Sequence, residues 1–317
     1  MNIGLVGPID YSVTGNPGWH LITAGIRYLV RQVVPHPNFI PINMYEYDRS
    51  WHAADACCDV VIICGNPRFT LSEGSAFWEH DMWHRLHALH LRGVRVIDGW
   101  AGSAFPYTRP ELQAGEMATA LMYAPKRMEY LQMAALFHGR ITRDSTMQII
   151  YERAGAPSTL LPCSSWWAHK ELGVQGLPHE HRAYDVVVPY CMDGHPEVIE
   201  DMRAAAVGSR VVAATWQDYE WARSHFENVE LVSDPVSMLR LFAGARRVLS
   251  FRLHAAIPAA SVGADVCAVS IDSRTDACDL FGGFVVVGFS ELGRVRFDRV
   301  LDPDTDAVLD VLRTLLT

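Results

Sequence analysis

The chain has no Cys-x-x-Cys pair among its seven cysteines and no spacing that reads as a disulfide framework. Adjacent Cys57 and Cys58 read as buried small hydrophobes. A reducing, cytoplasmic setting is therefore expected. Clustered positive charge is also lacking. The formal net charge is −9, and Arg246-Arg247 is the one notable basic pair of the second half. A nucleic-acid partner is not expected. No apolar run is long enough to span a bilayer, and Met1–Gly7 lacks a basic n-region and cleavage site, reading as a strand. Internal repeats and low-complexity tracts are absent, as are the GxGxxG and Walker loops.

What is present is an apolar chain with a strong alternation of elements. Half of the 317 residues are hydrophobic and a fifth are charged, enough for a substantial core. Ile3–Val6 reads as a strand, and Trp19 to Val33 as a helix. Phe39–Met44, Asp59–Cys64 and Val94–Asp98 read as further strands, the second nearly all β-branched, as suits a parallel strand covered on both faces. Gly99–Ser103 reads as a loop closing the last of these, and Met117–Met133 as a helix broken or kinked at Pro125. Pattern lapses between Ser164 and Tyr184, then resumes with strands at Asp185–Pro189, Arg210–Ala214, Val229–Val232, Val248–Phe251, Asp265–Ile271 and Val285–Val287. Strand–helix alternation predicts an α/β protein: two Rossmann-like doubly wound domains, residues 1–175 and 176–317, facing across a cleft.

The strongest local signal is Val248-Leu-Ser-Phe-Arg-Leu-His-Ala-Ala-Ile257. It places Arg252 at the carboxyl end of a strand and His254 at a helix N-terminus. Ligands of open α/β sheets bind at that edge, and a helix N-terminus favours an anion. A guanidinium adds a bidentate grip, and an imidazole can move a proton near neutral pH. The alternative is that Arg252 pairs with a local carboxylate and His254 packs on the sheet. Gly15-Asn-Pro-Gly18, between a strand and a helix, reads either as a loop whose backbone approaches a ligand, at Asn16 and Gly18, or as a surface turn.

These segments, in order, resemble the polysaccharide pyruvyl transferase family. The likeness is carried by Gly15–Gly18, Asp59–Gly65, Ile141-Thr-Arg-Asp-Ser145, the Arg252-Leu-His254 block and Ser270–Arg274. It spans nearly the whole chain. The family's triple glycine is Cys64-Gly65-Asn66 here, its Pro-Asp pair is Pro162-Cys163, and its Lys is Arg274. The resemblance implies a fold like that of GT-B glycosyltransferases. It also implies transfer of a pyruvyl group from phosphoenolpyruvate to hydroxyls of a glycan or glycosylated acceptor, in polysaccharide biosynthesis, with a ketal formed and phosphate released. Phosphoenolpyruvate is then a co-substrate, and neither a cofactor nor a metal is expected.

Such a donor needs several fixed cations, and Arg252, Arg274 and Arg143 are candidates, with Asn16, Gly18 and Gly65 as backbone contributors. His254 is the candidate acid or electrostatic partner of the phosphate. Asp144 and Asp272 are candidate bases, although Asp144 reads equally as a helix cap and Asp272 as a partner of Arg274. Trp166, Trp167 and His169 read as an aromatic acceptor lining or as a pinned hinge. Cys163 reads as a nucleophile or as a buried inert thiol. His80, His84 and His87 share one face of a helix, at a spacing open to zinc but also to an ordinary half-buried helix or a partner surface. Competing readings are a glycosyltransferase with a nucleotide-sugar donor and a repurposed non-catalytic member. A homo-oligomer is possible.

Overall fold

The structure, a computed structural model, describes residues 1–7, 16–45, 49–65, 67–70, 77–104, 125–191, 196–288, 292 and 295–317. Strands β1 (Asn2–Gly7), β2 (Asn38–Asn43), β3 (Val60–Cys64), β4 (Pro67–Thr70), β5 (Arg95–Ala104), β6 (Gly139–Thr142) and β7 (Thr159–Leu160) form one parallel sheet. Its order is β2-β1-β3-β5-β6-β7, with β4 beside β5. The second sheet holds β8 (Tyr184–Val188), β9 (Arg210–Ala213), β10 (Val229–Leu231), β11 (Ala245–Ser250), β12 (Asp265–Val269), β13 (Val285–Val287) and β14 (Asp298–Arg299). Its order is β10-β9-β8-β11-β12-β13, parallel except for β14, which pairs antiparallel with β12. The protein is thus α/β, with two doubly wound sheets and helices on their faces. β3 shows why a continuous apolar run suits this fold: Val60 to Cys64 are all buried, because both faces of a central parallel strand are covered.

Strand order reverses between β8 and β11 in the second sheet and between β1 and β3 in the first. Connections leave such a point in opposite directions, so a crevice opens at the strands' carboxyl ends. Arg252 follows β11, and Tyr190 lies just beyond β8.

One reading of the sequence is corrected. The stretch Gly99–Ser103 continues β5 instead of closing it, because β6 and β4 pair with it there; the strand passes an irregularity after Asp98. Trp100 sits at this point with φ 52°, a region unfavourable to bulky residues, and its indole N–H donates to the Pro162 carbonyl at 2.7 Å. Pro125 begins the helix Pro125–Leu136, where its missing N–H costs nothing, and the residues expected to precede it in a kinked helix lie outside the described ones.

The halves are joined through a shared core. Helix Pro17–Val33 packs under the segment Ser164–Trp167, whose Ser164 hydroxyl donates to the Ile22 carbonyl at 3.1 Å. The last helix, Thr305–Leu316, crosses back to the first sheet. Arg95 donates to the Leu316 carbonyl at 2.9 Å, and Trp167 donates to the Thr305 hydroxyl at 3.2 Å. Among the described residues, no helix is long and apolar enough to cross a membrane.

Candidate active site

Asn16 caps helix Pro17–Val33 by accepting from the Gly18 N–H at 3.0 Å. Arg252 occupies the cap position of helix Leu253–Ser261. These two helix starts meet in a crevice, with Asn16, Pro17 and Gly18 on one wall and Ala214, Arg252, His254 and Arg274 on the other. Gly18 is required by this approach: a Cβ there would stand 2.7 Å from the His254 ring. Two helix N-termini facing one space favour an anion between them.

Two guanidinium groups line the crevice, each anchored on a carboxylate, and a third lies behind His254. Arg252 ion-pairs through Nε with the fully buried Asp218, and its Nη2 donates to the Thr215 hydroxyl at 3.3 Å. Arg274 donates from Nε to both Asp272 oxygens at 2.8 Å, and its Nη2 also pairs with Oδ2. Burial opposes the Arg274 charge, but Asp272 and then Tyr190 overcome it and hold its pKa above the usual arginine range. Both Arg252 and Arg274 lie over the Tyr190 ring, at 4.7 and 5.6 Å from its centroid.

Arg143 comes from the other sheet. It follows β6, is fully buried, and its Nη1 stands 3.1 Å from Nε2 of His254. Gly102 makes room for it, since a Cβ there would meet the guanidinium, with Nη2 at 2.8 Å. A guanidinium has no acceptor, so His254 Nε2 must accept and the ring proton sits on Nδ1. Burial, and then Arg143, Arg274 and Arg252, push the His254 pKa well below its ordinary value. The imidazole is neutral at pH 7 in this state.

The other sequence-selected residues fall elsewhere. Asp144 is a helix cap: it accepts from Met147 N at 2.7 Å, Ser103 N at 2.8 Å and the Ser103 hydroxyl at 2.9 Å. Burial raises its pKa against those bonds. Asp272 caps the 3-10 turn Ser273–Leu280 through the Arg274 N–H, in addition to holding the Arg274 side chain. Neither carboxylate is left as a base facing the crevice. Gly65 packs on the Trp100 backbone, where a Cβ would be 2.8 Å from its carbonyl oxygen, and bonds Gly99 in the sheet. Trp166 and Trp167 are core residues, the first stacked on Phe281 with centroids 4.9 Å apart. None of the three, His169 included, is brought to the crevice, but Trp166 and His169 line a separate cavity of about 740 Å³. His169 donates from Nδ1 to the Trp166 carbonyl at 2.9 Å, and burial lowers its pKa. Cys163 is buried, with its sulfur 3.2 Å from the Ser165 hydroxyl.

On the histidine-rich helix, the side chain of His80 lies outside the described residues, and His84 stands 3.4 Å from Glu129. Among the described residues, no group of three His, Cys, Asp or Glu is placed to hold a metal ion.

Sequence reasoning missed Asp218 and Tyr190. Asp218 has a legible local role, in the Thr215-x-x-Asp218 pattern at a helix start, where Thr215 accepts from the Asp218 N–H at 3.2 Å. Nothing local marks it as the partner of a residue 34 positions later.

A family model described as polysaccharide pyruvyl transferase matches residues 16–273. No match was found among curated proteins. Solved structures that share the fold include three complexes with UDP or UDP-GlcNAc. The UDP complex of Staphylococcus aureus MnaA is 10% identical, with a TM-score of 0.53 over 99% of this chain and 87% of its own. The Neisseria meningitidis UDP-GlcNAc 2-epimerase bound to UDP-GlcNAc is also 10% identical, with a TM-score of 0.53 over 100% of this chain and 91% of its own. Anabaena HepE in complex with UDP and glucose is 10% identical, with a TM-score of 0.52 over 99% and 92%. At such identity the likeness establishes a GT-B-like fold and nothing further.

Proposed function

Because the chain belongs to the polysaccharide pyruvyl transferase family, a family of transferases, we propose that its crevice binds phosphoenolpyruvate and transfers the pyruvyl group to hydroxyls of a sugar-containing acceptor. The observation that carries this reading is the convergence of Arg143, Arg252 and Arg274 with two helix N-termini around one imidazole. Phosphoenolpyruvate bears a phosphate and a carboxylate on three carbons. A small site with several rigidly held cations suits it better than a large apolar pocket would.

The chemistry follows from charge. Burial first and the guanidinium charges second keep His254 neutral; donor anions offset the second of these, so its proton affinity rises when the donor is bound. Protonated His254 delivers a proton to the methylene carbon, C2 becomes electrophilic, and the first acceptor hydroxyl adds there with loss of its proton. The C2–O bond to phosphate then breaks, and the phosphate leaves with the electron pair under the hold of the arginines. A second hydroxyl adds to C2, losing its proton, and closes the ketal. One proton ends on the new methyl group, and the two hydroxyl protons pass to base and to the released phosphate.

A thermal-shift titration tests this reading. A ligand of the native state raises its melting temperature by mass action. Phosphoenolpyruvate is expected to stabilise the wild type in a dose-dependent way and to leave Arg252→Ala unmoved. A shift with a nucleotide sugar and none with phosphoenolpyruvate would overturn it in favour of a glycosyltransferase.

A further inference from the structure

We infer that Tyr190 is a positioning residue of the anion site, an aromatic platform that sets the places of Arg252 and Arg274 so that both can grip one anion. The identity of that anion, though not the platform itself, rests on the donor reading above.

Two like-charged guanidinium groups repel, and long arginine side chains do not hold a position unaided. Each of these has a carboxylate behind it, Asp218 for Arg252 and Asp272 for Arg274. Those anchors belong to different elements, helix Trp216–Ala222 and the turn following β12, so they do not fix one cation relative to the other. Tyr190 does. Both guanidinium carbons lie within 6 Å of its ring centroid, where the negative face of the π system attracts cations.

The ring is itself held. The next residue, Cys191, donates its N–H to Asp218 Oδ1 at 3.3 Å, while Asp218 Oδ2 takes Arg252. One buried carboxylate therefore ties the platform's loop to one of the two cations resting on it. The location suits the role, because Tyr190 and Arg252 leave neighbouring strands β8 and β11 at the point where the sheet reverses direction.

The experiment is calorimetric titration of full-length wild type, Tyr190→Phe and Tyr190→Leu with phosphoenolpyruvate and, separately, with inorganic phosphate. Ligand-free melting curves run in parallel. Tyr190→Leu is expected to weaken both anions by about tenfold or more, the scale of a partly desolvated cation–π contact. Tyr190→Phe keeps the ring and is expected to stay within about threefold of wild type. A Leu variant that binds like wild type overturns the inference. So does a Phe variant as weak as the Leu variant, since the ring would then not be the determinant. If wild type binds phosphate but not phosphoenolpyruvate, and Leu loses the phosphate, the platform stands and the donor reading falls. If wild type binds phosphoenolpyruvate and Leu does too, the reverse holds. If wild type binds neither anion, both fall.

Discussion

Arg143 Nη1 and His254 Nε2 lie 3.1 Å apart although 111 residues separate them in the chain, and this contact joins the edge of the first sheet to the first turn of a helix on the second. It fixes the tautomer of the imidazole and, second to burial, helps keep the ring uncharged. The resting site therefore holds a neutral histidine among three cations.

A pH dependence follows from that charge. The unfolded chain takes up a histidine proton near pH 6.5, whereas the native state resists it because the His254 pKa is pushed down. Stability from this residue is full above about pH 6.5 and is lost as pH falls below it. Melting temperatures of wild type and His254→Asn between pH 7.5 and 5 should diverge, with wild type losing more on acidification. Nitrogen NMR of the ring should find the proton on Nδ1; a proton on Nε2 at pH 7 would remove the contact described.

Two glycines make room for the site: Gly18 lets the first helix approach His254 across the halves, and Gly102 admits Arg143 within the first sheet. Gly18→Ala would place a methyl group 2.7 Å from the His254 ring, and Gly102→Ala would place one against the Arg143 guanidinium. Helix propensity alone would favour alanine at position 18 by about 1 kcal/mol. Crowding is expected to cancel that gain and, at the buried Arg143, to cost about 1–3 kcal/mol. Both variants should bind phosphate more weakly in calorimetry. Unchanged affinity in both would mean that neither side chain contributes to the anion site.

Asp218→Asn is expected to be among the more damaging single changes. It removes the charge facing Arg252, whose side chain is 14% exposed while Asp218 is fully buried. Breaking such a pair from one side costs about 3 kcal/mol or more, because an uncompensated charge remains. Chemical denaturation should show this loss, and the double variant Asp218→Asn with Arg252→Met should recover a good part of it. A single variant as stable as wild type would show that Asp218 does not carry the cation.

By itself, the sequence determined the alternation of strands and helices, the apolar runs of central strands such as Val60–Cys64, and the strand–Arg252-Leu-His254–helix start. Each is written in adjacent residues, through side-chain periodicity, β-branching and helix capping, so local chemistry suffices to read it. The pairing of Asp272 with Arg274 was legible for the same reason, being two residues apart. Only the tertiary structure decided that Trp166 and Trp167 are core, that β5 runs on through Trp100, and that Gly102 is a space for Arg143. It also decided that Tyr190, Asp218, Arg252 and Arg274 form one constellation. The physical reason is common to all of these. Their energies reside in contacts between residues far apart in the chain, made by the order of strands in a sheet and the docking of two sheets, and no periodicity along the chain encodes them.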